Sequence, residues 1–328
     1  MSDQADATAL CCSQFYEQDI VRQLMGDSFH PGGIDLSRRV IQTTGLQAGT
    51  RVLDVACGVG TTARMLASEF GYRTTGVDFS ESNVAKAAAL HEHAQQQIPA
   101  ASLPTQQEPV EKASGLPVAE ACCAPGDPCC QPSNQVSELM EEPDAFPASS
   151  ISAGTLDFQQ GAAANLPFGD HEFDGVFCEC AVSTFENQGD VVEELYRVMK
   201  PGGMFTMTDM VVNGELPPEI AANIAPWTCV ANAHSALGYQ RLFVDHGFVV
   251  KHYEDESNGL LELVGQLKRK LLMAGFGKTL GAIPGLQLDI AQMRSMLAEA
   301  KQLVENGTVQ YASFVFVKPI TAGVLIGN

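Results

Sequence analysis

Ten cysteines are the side chains of this 328-residue chain best suited to chemistry, at positions 11, 12, 57, 122, 123, 129, 130, 178, 180 and 229. They include three adjacent pairs and a Cys178-Glu179-Cys180 triplet. In a reducing compartment, clustered thiols serve metal binding or catalysis more often than structural bridging. Thiolates select soft, thiophilic centres. Zinc usually asks for Cys-x-x-Cys spacing, which is not the spacing of Cys122, Cys123, Cys129 and Cys130. Those four flank an Ala-Pro-Gly-Asp-Pro turn and suit capture of a soft ion or a redox role, with disulfide formation, adventitious metal or no role as alternatives. The seven histidines are unremarkable for this length. His30, His234 and Glu179 are the candidate proton acceptors by position.

A second group of residues suits ligand binding rather than bond making. From Arg51 to Ala63 a short apolar run (Val52, Leu53, Val55, Ala56) breaks into a glycine turn and then a helical pattern. Gly58 and Gly60 let the backbone turn and a ligand come close. The helix start behind them offers amides without intrahelical partners and a positive dipole end. Cys57, inside the turn, reads as packing. Asp78 ends the next strand, where an acidic side chain can accept from two ribose hydroxyls; the plainer alternative is a helix cap.

These residues need a scaffold, and the periodicity supplies one. Residues 8–28 and Ile34–Thr43 read as amphipathic helices, joined by a punctuated Ser28–Gly33 loop. Strands are predicted at Arg51, Tyr72–Val77, Thr155–Gln159, Phe173–Cys178, Met204–Met210, Phe248–Tyr253 and Val309–Val317. Helices are predicted between them: one capped by Ser80, then Asp190–Met199, Pro217–Asn232, Tyr239–His246, Leu260–Met273 and Leu286–Glu305. Alternation of this kind means an α/β, doubly wound, mostly parallel sheet, here of seven strands. Residues 95–150 interrupt it with an Ala-, Gln-, Pro-, Glu- and Ser-rich insertion lacking periodicity. The expected organisation is a helical cap over 1–50, a ligand-binding domain over 51–254 containing the insertion, and C-terminal helices with the last strand over 255–328.

Composition removes several function classes. The net charge of −20 argues against nucleic acid as partner, since a phosphate footprint needs a basic excess. No apolar run is long enough to span a membrane. The acidic start, Met-Ser-Asp-Gln-Ala-Asp, lacks the features of a signal peptide. A cytoplasmic, monomeric protein is expected.

Four segments in order carry a resemblance: Val-Leu-Asp-Val-Ala-Cys-Gly-Val-Gly, Gly-Val-Asp-Phe-Ser, Asn-Leu-Pro-Phe with Phe-Asp-Gly-Val, and Val-Met-Lys-Pro-Gly-Gly. Together the chain resembles the class I S-adenosylmethionine-dependent methyltransferases over most of residues 50–250. The resemblance implies that Asp54, Ala56, Gly58 and Gly60 border the methionine part of the cofactor. It further implies that Asp78 with Phe79 binds the ribose side, and that Gly161, Ala162 and Ala163 meet the adenine. Ala56 stands where the family usually has the first glycine. Ala162 stands where an aspartate often sits, so backbone groups are expected to recognise adenine. Tyr16 and Phe29 are expected in a lid over the cofactor.

The acceptor is read from the thiols. Cys178 and Cys180 end the fourth strand over the cofactor crevice, and Cys229 lies in the excursion after the fifth, which crosses the same rim. Thiols converging there suit a thiophilic centre such as trivalent arsenic, whose lone pair can attack the methyl. Phe-Cys-Glu-Cys-Ala-Val-Ser-Thr-Phe, the later Thr-Cys-Val-Ala-Asn-Ala and the early Cys-Cys pair are similar to arsenite methyltransferases. That narrower resemblance implies arsenic held by Cys180 and Cys229, Cys11 or Cys12 as a redox partner, and a thiol reductant (glutathione or thioredoxin) for turnover. The family's cysteine just past the glycine turn is here Ala63, a loss from which an enzyme handling chiefly methylarsenite, with two thiolate ligands, would suffer less; the expected acceptor is arsenite, methylarsenite or both. Cys178 reads equally as a small buried hydrophobe. Two rivals stand beside this expectation: methylation of a small organic acceptor such as a quinone or sterol, with incidental cysteines, and a non-catalytic module sequestering soft metals.

Overall fold

The computed structural model describes residues 30–96, 154–223, 229–230, 232–274 and 290–320. The expected helix over 8–28 lies outside the described residues, as does the expected insertion over 95–150 except for residues 95 and 96, which end a helix instead. The chain divides into two units, residues 1–93 with 151–328 and residues 94–150, and the sheet belongs to the first.

Seven strands form one sheet in the order β3-β2-β1-β4-β5-β7-β6. They are β1 (Arg51–Val55), β2 (Arg73–Asp78), β3 (Leu156–Gln160), β4 (Phe173–Glu179), β5 (Met199–Val212), β6 (Val249–Asp255) and β7 (Val309–Val317). Strands β1 to β5 pair in parallel, whereas β7 runs antiparallel between β5 and β6. The sheet is therefore mixed, parallel through its first five strands. The order reverses between β1 and β4, and the C-terminal ends of that pair open the crevice where such sheets bind ligands.

Eight helices are described: α1 (Gly33–Thr44), α2 (Thr61–Ser68), α3 (Glu81–Gln96), α4 (Gln188–Val198), α5 (Pro218–Asn223), α6 (Ala236–Asp245), α7 (Ser257–Ala274) and α8 (Ile290–Glu305). Helix α5 is shorter than the expected Pro217–Asn232, and residues 224–228 and 231 lie outside the described residues. Strand β5 is longer than expected. The Lys-Pro-Gly-Gly stretch, read as a turn, continues the strand through Gly202 at φ +82°.

The core follows the apolar patterning. Val191, Val192, Leu195 and Val198 of α4 and Tyr239 and Phe243 of α6 pack with Leu53, Val176, Phe205, Phe314 and Phe316 of the sheet. Phe243 stacks on Phe316 with ring centroids 4.2 Å apart. Burying each such ring contributes about 2–3 kcal/mol. Helix α1 joins two further clusters, Leu36 and Val40 with Met210, Leu260, Val264 and Tyr311, and Ile41 with Val52, Met65, Leu66 and Phe177. Helices α1 and α7 are thereby anchored beside the crevice end of β5 and β7.

Candidate active site

The glycine turn between β1 and α2 is built from residues in the left-handed region. Ala56, Gly58 and Gly60 have φ of +57°, +55° and +75°. Only glycine reaches such values without cost, so Ala56 carries roughly 1 kcal/mol of strain. A Cβ on Gly60 would lie 2.5 Å from the Phe158 ring, whereas one on Gly58 would meet nothing within 4 Å. Gly58 thus faces open space, as close approach of a ligand requires. The Cys57 amide donates to the Val77 carbonyl (3.0 Å), and the Cys57 thiol, mostly packed, is pushed up by burial.

Asp78 holds this turn to the next strand. Its Oδ2 accepts from the Gly58 amide (2.8 Å), and its Oδ1 from the Ser80 amide (2.9 Å) and Asn83 Nδ2 (3.3 Å). Ser80 Oγ accepts from the Asn83 amide in the first turn of α3. Phe79 beside Asp78 is half-exposed, and its carbonyl accepts from Gln160. The Gly161 amide donates to the Asp78 carbonyl (3.0 Å), and a Cβ on Gly161 would sit 2.9 Å from Val77. Ala162 bridges to Asn165, and Ala163 packs on the sheet core.

Asp54 tests whether a cofactor fits. The carboxyl is buried at the end of β1, and its Oδ2 has no hydrogen-bond partner. Burial, then the Glu179 and Asp78 carboxylates, push its pKa well above the carboxylate range. An orphaned carboxylate oxygen beside two other acids calls for a cation. The residues therefore fit S-adenosylmethionine: Asp54 for the methionine ammonium, Gly58 for close approach, Asp78 for the ribose hydroxyls.

Across the crevice, the chain turns sharply after β4. Cys180 has φ +51°, and its amide donates to the Thr208 carbonyl (2.7 Å). The turn brings its Sγ to 3.2 Å from Cys229 Sγ, which also approaches the Cys180 carbonyl oxygen (3.1 Å). That separation exceeds a disulfide bond. The contact with Cys229, then burial, push the Cys180 thiol well up, and the Tyr311 hydroxyl opposes this. Both cysteines sit in the cluster of Leu36, Val40, Met210, Ile220, Leu260 and Tyr311. Cys178 is fully buried in the separate cluster of the sheet core. Cys11, Cys12, Tyr16, Phe29, Cys122, Cys123, Cys129 and Cys130 lie outside the described residues.

The structure also joins Glu179 to His30, with Oε2 3.6 Å from Nε2, and Thr62 donates to the same oxygen. Thr62 escaped the sequence reading, although its place in the first turn after the glycines is a signal. His234 is half-buried against Tyr239, and burial lowers its pKa. A further unanticipated group is the buried Asp209 of β5, which accepts from the Ser183 amide (2.8 Å), the Ser183 hydroxyl (2.5 Å) and the Met210 amide (2.7 Å).

Comparison with known proteins agrees with this geometry. Two family models, each described as a methyltransferase domain, match residues 52–114 and 133–207. An O-methyltransferase, resE, of Aspergillus sclerotiorum is 22% identical over 238 residues, covering 72% of this chain and 69% of the relative. A 2-methyl-6-phytyl-1,4-hydroquinone methyltransferase of Synechocystis is 32% identical over 103 residues, covering 26% and 32%. A sterol 24-C-methyltransferase, ERG6B, of Gibberella zeae is 24% identical over 242 residues, covering 70% and 47%. The chain thus spans between a third and about two thirds of these relatives' lengths. Among solved structures, the cyclopropane synthase MmaA2 of Mycobacterium tuberculosis superposes with a TM-score of 0.64 at 11% identity, covering 97% of this chain and 100% of that one. Phosphoethanolamine N-methyltransferase 2 of Haemonchus contortus, bound to S-adenosyl-L-methionine, gives 0.62 at 16% identity, covering 94% and 60%. The strand order puts an orphaned acid, a bare glycine turn and a second aspartate at one switch point, and the chain matches methyltransferase-domain models over 52–114 and 133–207; its fold is the Rossmann-like fold of the class I methyltransferases.

Proposed function

We propose that the chain transfers the methyl group of S-adenosylmethionine to a small organic acceptor with a largely apolar body, of the hydroquinone or sterol kind. The observation that carries this reading is the buried apolar cluster against which Cys180 packs: Leu36, Val40, Met210, Ile220, Leu260 and Tyr311, from α1, β5, α5, α7 and β7. The hydroquinone and sterol methyltransferases among its relatives support it. The cofactor supplies a methyl already activated on a sulfonium. The chain's residues then have to bind, align and exclude water. Asp54 receives positive charge, Asp78 orients the ribose, and the α1 and α7 side chains dry the acceptor side. In such surroundings Cys180 is a neutral thiol, its pKa raised by Cys229 and by burial.

Methylation of trivalent arsenic is the second reading, and the 3.2 Å approach of Cys180 and Cys229 favours it. Two thiolates could hold methylarsenite, and a cellular thiol such as glutathione or thioredoxin would reduce the product for turnover. Against it, Cys180 would have to give up a proton that contact with Cys229 and burial hold on the thiol.

One experiment separates the two. The full chain is incubated with S-adenosylmethionine and, in separate reactions, naphthohydroquinone, ergosterol, arsenite or methylarsenite with glutathione, and products are read by mass spectrometry. The proposal expects methylated organic product that survives Cys180→Ser and Cys229→Ser within about threefold. Methylated arsenical alone, abolished by either substitution, would replace it with the second reading.

A further inference from the structure

His30 sits where the loop before α1 meets the end of β4 and the first turn of α2, and the loop is held from behind. A Cβ on Gly259 of α7 would lie 2.7 Å from the Gly32 amide nitrogen, so the two backbones touch with no side chain between them. The imidazole is nearly buried, as is the Glu179 side chain it faces. Its Nδ1 lies 3.1 Å from the Pro31 carbonyl oxygen. A carbonyl only accepts, so Nδ1 carries the proton and Nε2 of the neutral ring holds a lone pair.

Around Nε2 the partners suit both protonation states. Ser37 Oγ lies 3.1 Å from Nε2 and 3.5 Å from the Gly33 carbonyl oxygen. A serine hydroxyl has one hydrogen. Turned toward Gly33, it leaves the Nε2 lone pair open, and Oγ can accept from an Nε2–H once one forms. Glu179 Oε2, fixed by the Thr62 hydroxyl, stands 3.6 Å away as the counter-charge for an imidazolium. Glu179 is the charged group facing the ring among the described residues. Asp54 lies close enough for the Glu179 carboxylate to act on it. Since Glu179 directly precedes Cys180, this proton site borders the acceptor side of the crevice.

We propose that His30 is a catalytic residue, the proton acceptor for a hydroxyl-bearing substrate, with Glu179 and Ser37 as its positioning partners. The proposal rests on the organic-acceptor reading and narrows it to acceptors whose nucleophile is a hydroxyl oxygen. In the step, the substrate O–H bond breaks and its proton goes to Nε2. The oxygen forms a bond to the methyl carbon, and the methyl–sulfur bond breaks with its electron pair remaining on sulfur, so the sulfonium becomes a neutral thioether. The positive charge moves from sulfur to His30, beside Glu179, and the proton leaves to solvent after product release. An arsenic lone pair carries no proton and asks nothing of His30.

The test uses the full chain with naphthohydroquinone as probe. His30→Ala is expected to lower kcat roughly a hundred- to ten-thousand-fold, to keep its affinity for S-adenosylhomocysteine by calorimetry, and to recover with added imidazole, which a merely structural role would not produce. Nitrogen NMR of histidine-labelled wild type at high pH is expected to place the His30 proton on Nδ1. A kcat for His30→Ala within threefold of wild type, or a proton on Nε2, would overturn the proposal while leaving the organic reading in place. A wild-type chain that methylates the probe on carbon rather than oxygen would likewise overturn the proposal and keep the organic reading, whereas one that methylates no organic acceptor would remove both.

Discussion

Asp54 places a carboxylate at the end of β1 with the Ala63 amide on one oxygen and no partner on the other. Stability and binding therefore pull this side chain in opposite directions. Asp54→Asn removes a buried carboxyl whose ionisation burial and two neighbouring acids oppose, so the free protein is expected to melt no lower than wild type. The same change removes a charge-assisted hydrogen bond worth about 1.5–3 kcal/mol, a loss of roughly ten- to a hundredfold in affinity for S-adenosylhomocysteine. Calorimetry and thermal melts on the same samples read both. An equal fall in melting temperature and affinity would mean that Asp54 serves the fold alone. Cys180 is the other strained residue of the site, since a non-glycine side chain at φ +51° persists only where its surroundings hold it. Here the Thr208 carbonyl and the Cys229 sulfur do so.

Elements position these side chains through backbone contacts that tolerate no extra atoms. Helix α7 carries two glycines with different surroundings. Gly259 abuts the Pro31–Gly32 backbone, whereas a Cβ on Gly265 would meet only the end of the Arg269 side chain at 3.6 Å. Gly259→Ala is expected to destabilise by about 1–3 kcal/mol and to lower kcat by displacing the His30 loop. Gly265→Ala is expected to stabilise by about 0.5–1 kcal/mol with kcat unchanged. Urea midpoints and initial rates check both, and matching behaviour of the two variants would count against the backbone contact. At the far end of the sheet, Lys200 holds both Asp174 oxygens at 2.8 and 2.9 Å, and a Cβ on Gly203 would sit 2.8 Å from the Lys200 carbonyl oxygen. Two of the segments that carried the family resemblance, Phe-Asp-Gly-Val and Lys-Pro-Gly-Gly, thus meet each other at the N-terminal ends of β4 and β5. Their work is to register those strands, which in turn aims Glu179 and Cys180 at the crevice.

For the molecule as a whole, buried acids couple stability to pH. Burial raises Asp209 to about 7, although the Ser183 and Met210 donors pull it back toward the charged form. A carboxyl whose folded pKa lies above its unfolded value binds more protons in the folded state. Its contribution is therefore full below about pH 4 and is lost as pH rises toward and through about 7, a change on the order of 4 kcal/mol. Asp54 acts in the same direction. Asp209→Asn mismatches an amide with two backbone donors, a penalty that does not vary with pH. Relative to this variant, wild type is expected to lose stability steadily from pH 4 to 7 in denaturant titrations. A constant difference over that range would show that Asp209 stays charged. No described helix is long and apolar enough to cross a membrane.

Much of this was legible before any coordinates because backbone demands leave marks on residue type. A turn in the left-handed region selects glycine, a buried parallel strand selects an unbroken apolar run, and a helix start selects a cap. Those local rules were enough for the α/β class, for the glycine turn and for Asp54 and Asp78 at their strand ends. The antiparallel β7 was not legible, since a buried strand shows the same pattern whichever way it runs. The sorting of thiols was legible in part, since the narrower resemblance paired Cys180 with Cys229 and Cys178 read equally as a small buried hydrophobe. Cys178 and Cys180 look equivalent at strand spacing, but the left-handed turn at Cys180 sends one thiol to Cys229 and leaves the other in the sheet core. The tertiary structure brings Cys180 to 3.2 Å from Cys229, the pair that the narrower resemblance had implied, and only it could join Thr62 to Glu179 across 117 residues. Such meetings depend on strand order and on which loops cross the rim, and no local pattern encodes them. The sequence by itself determined the scaffold and the side of it that binds a methyl donor. The fold decided which groups face that donor, because side chains distant along the chain converge only once the sheet is closed.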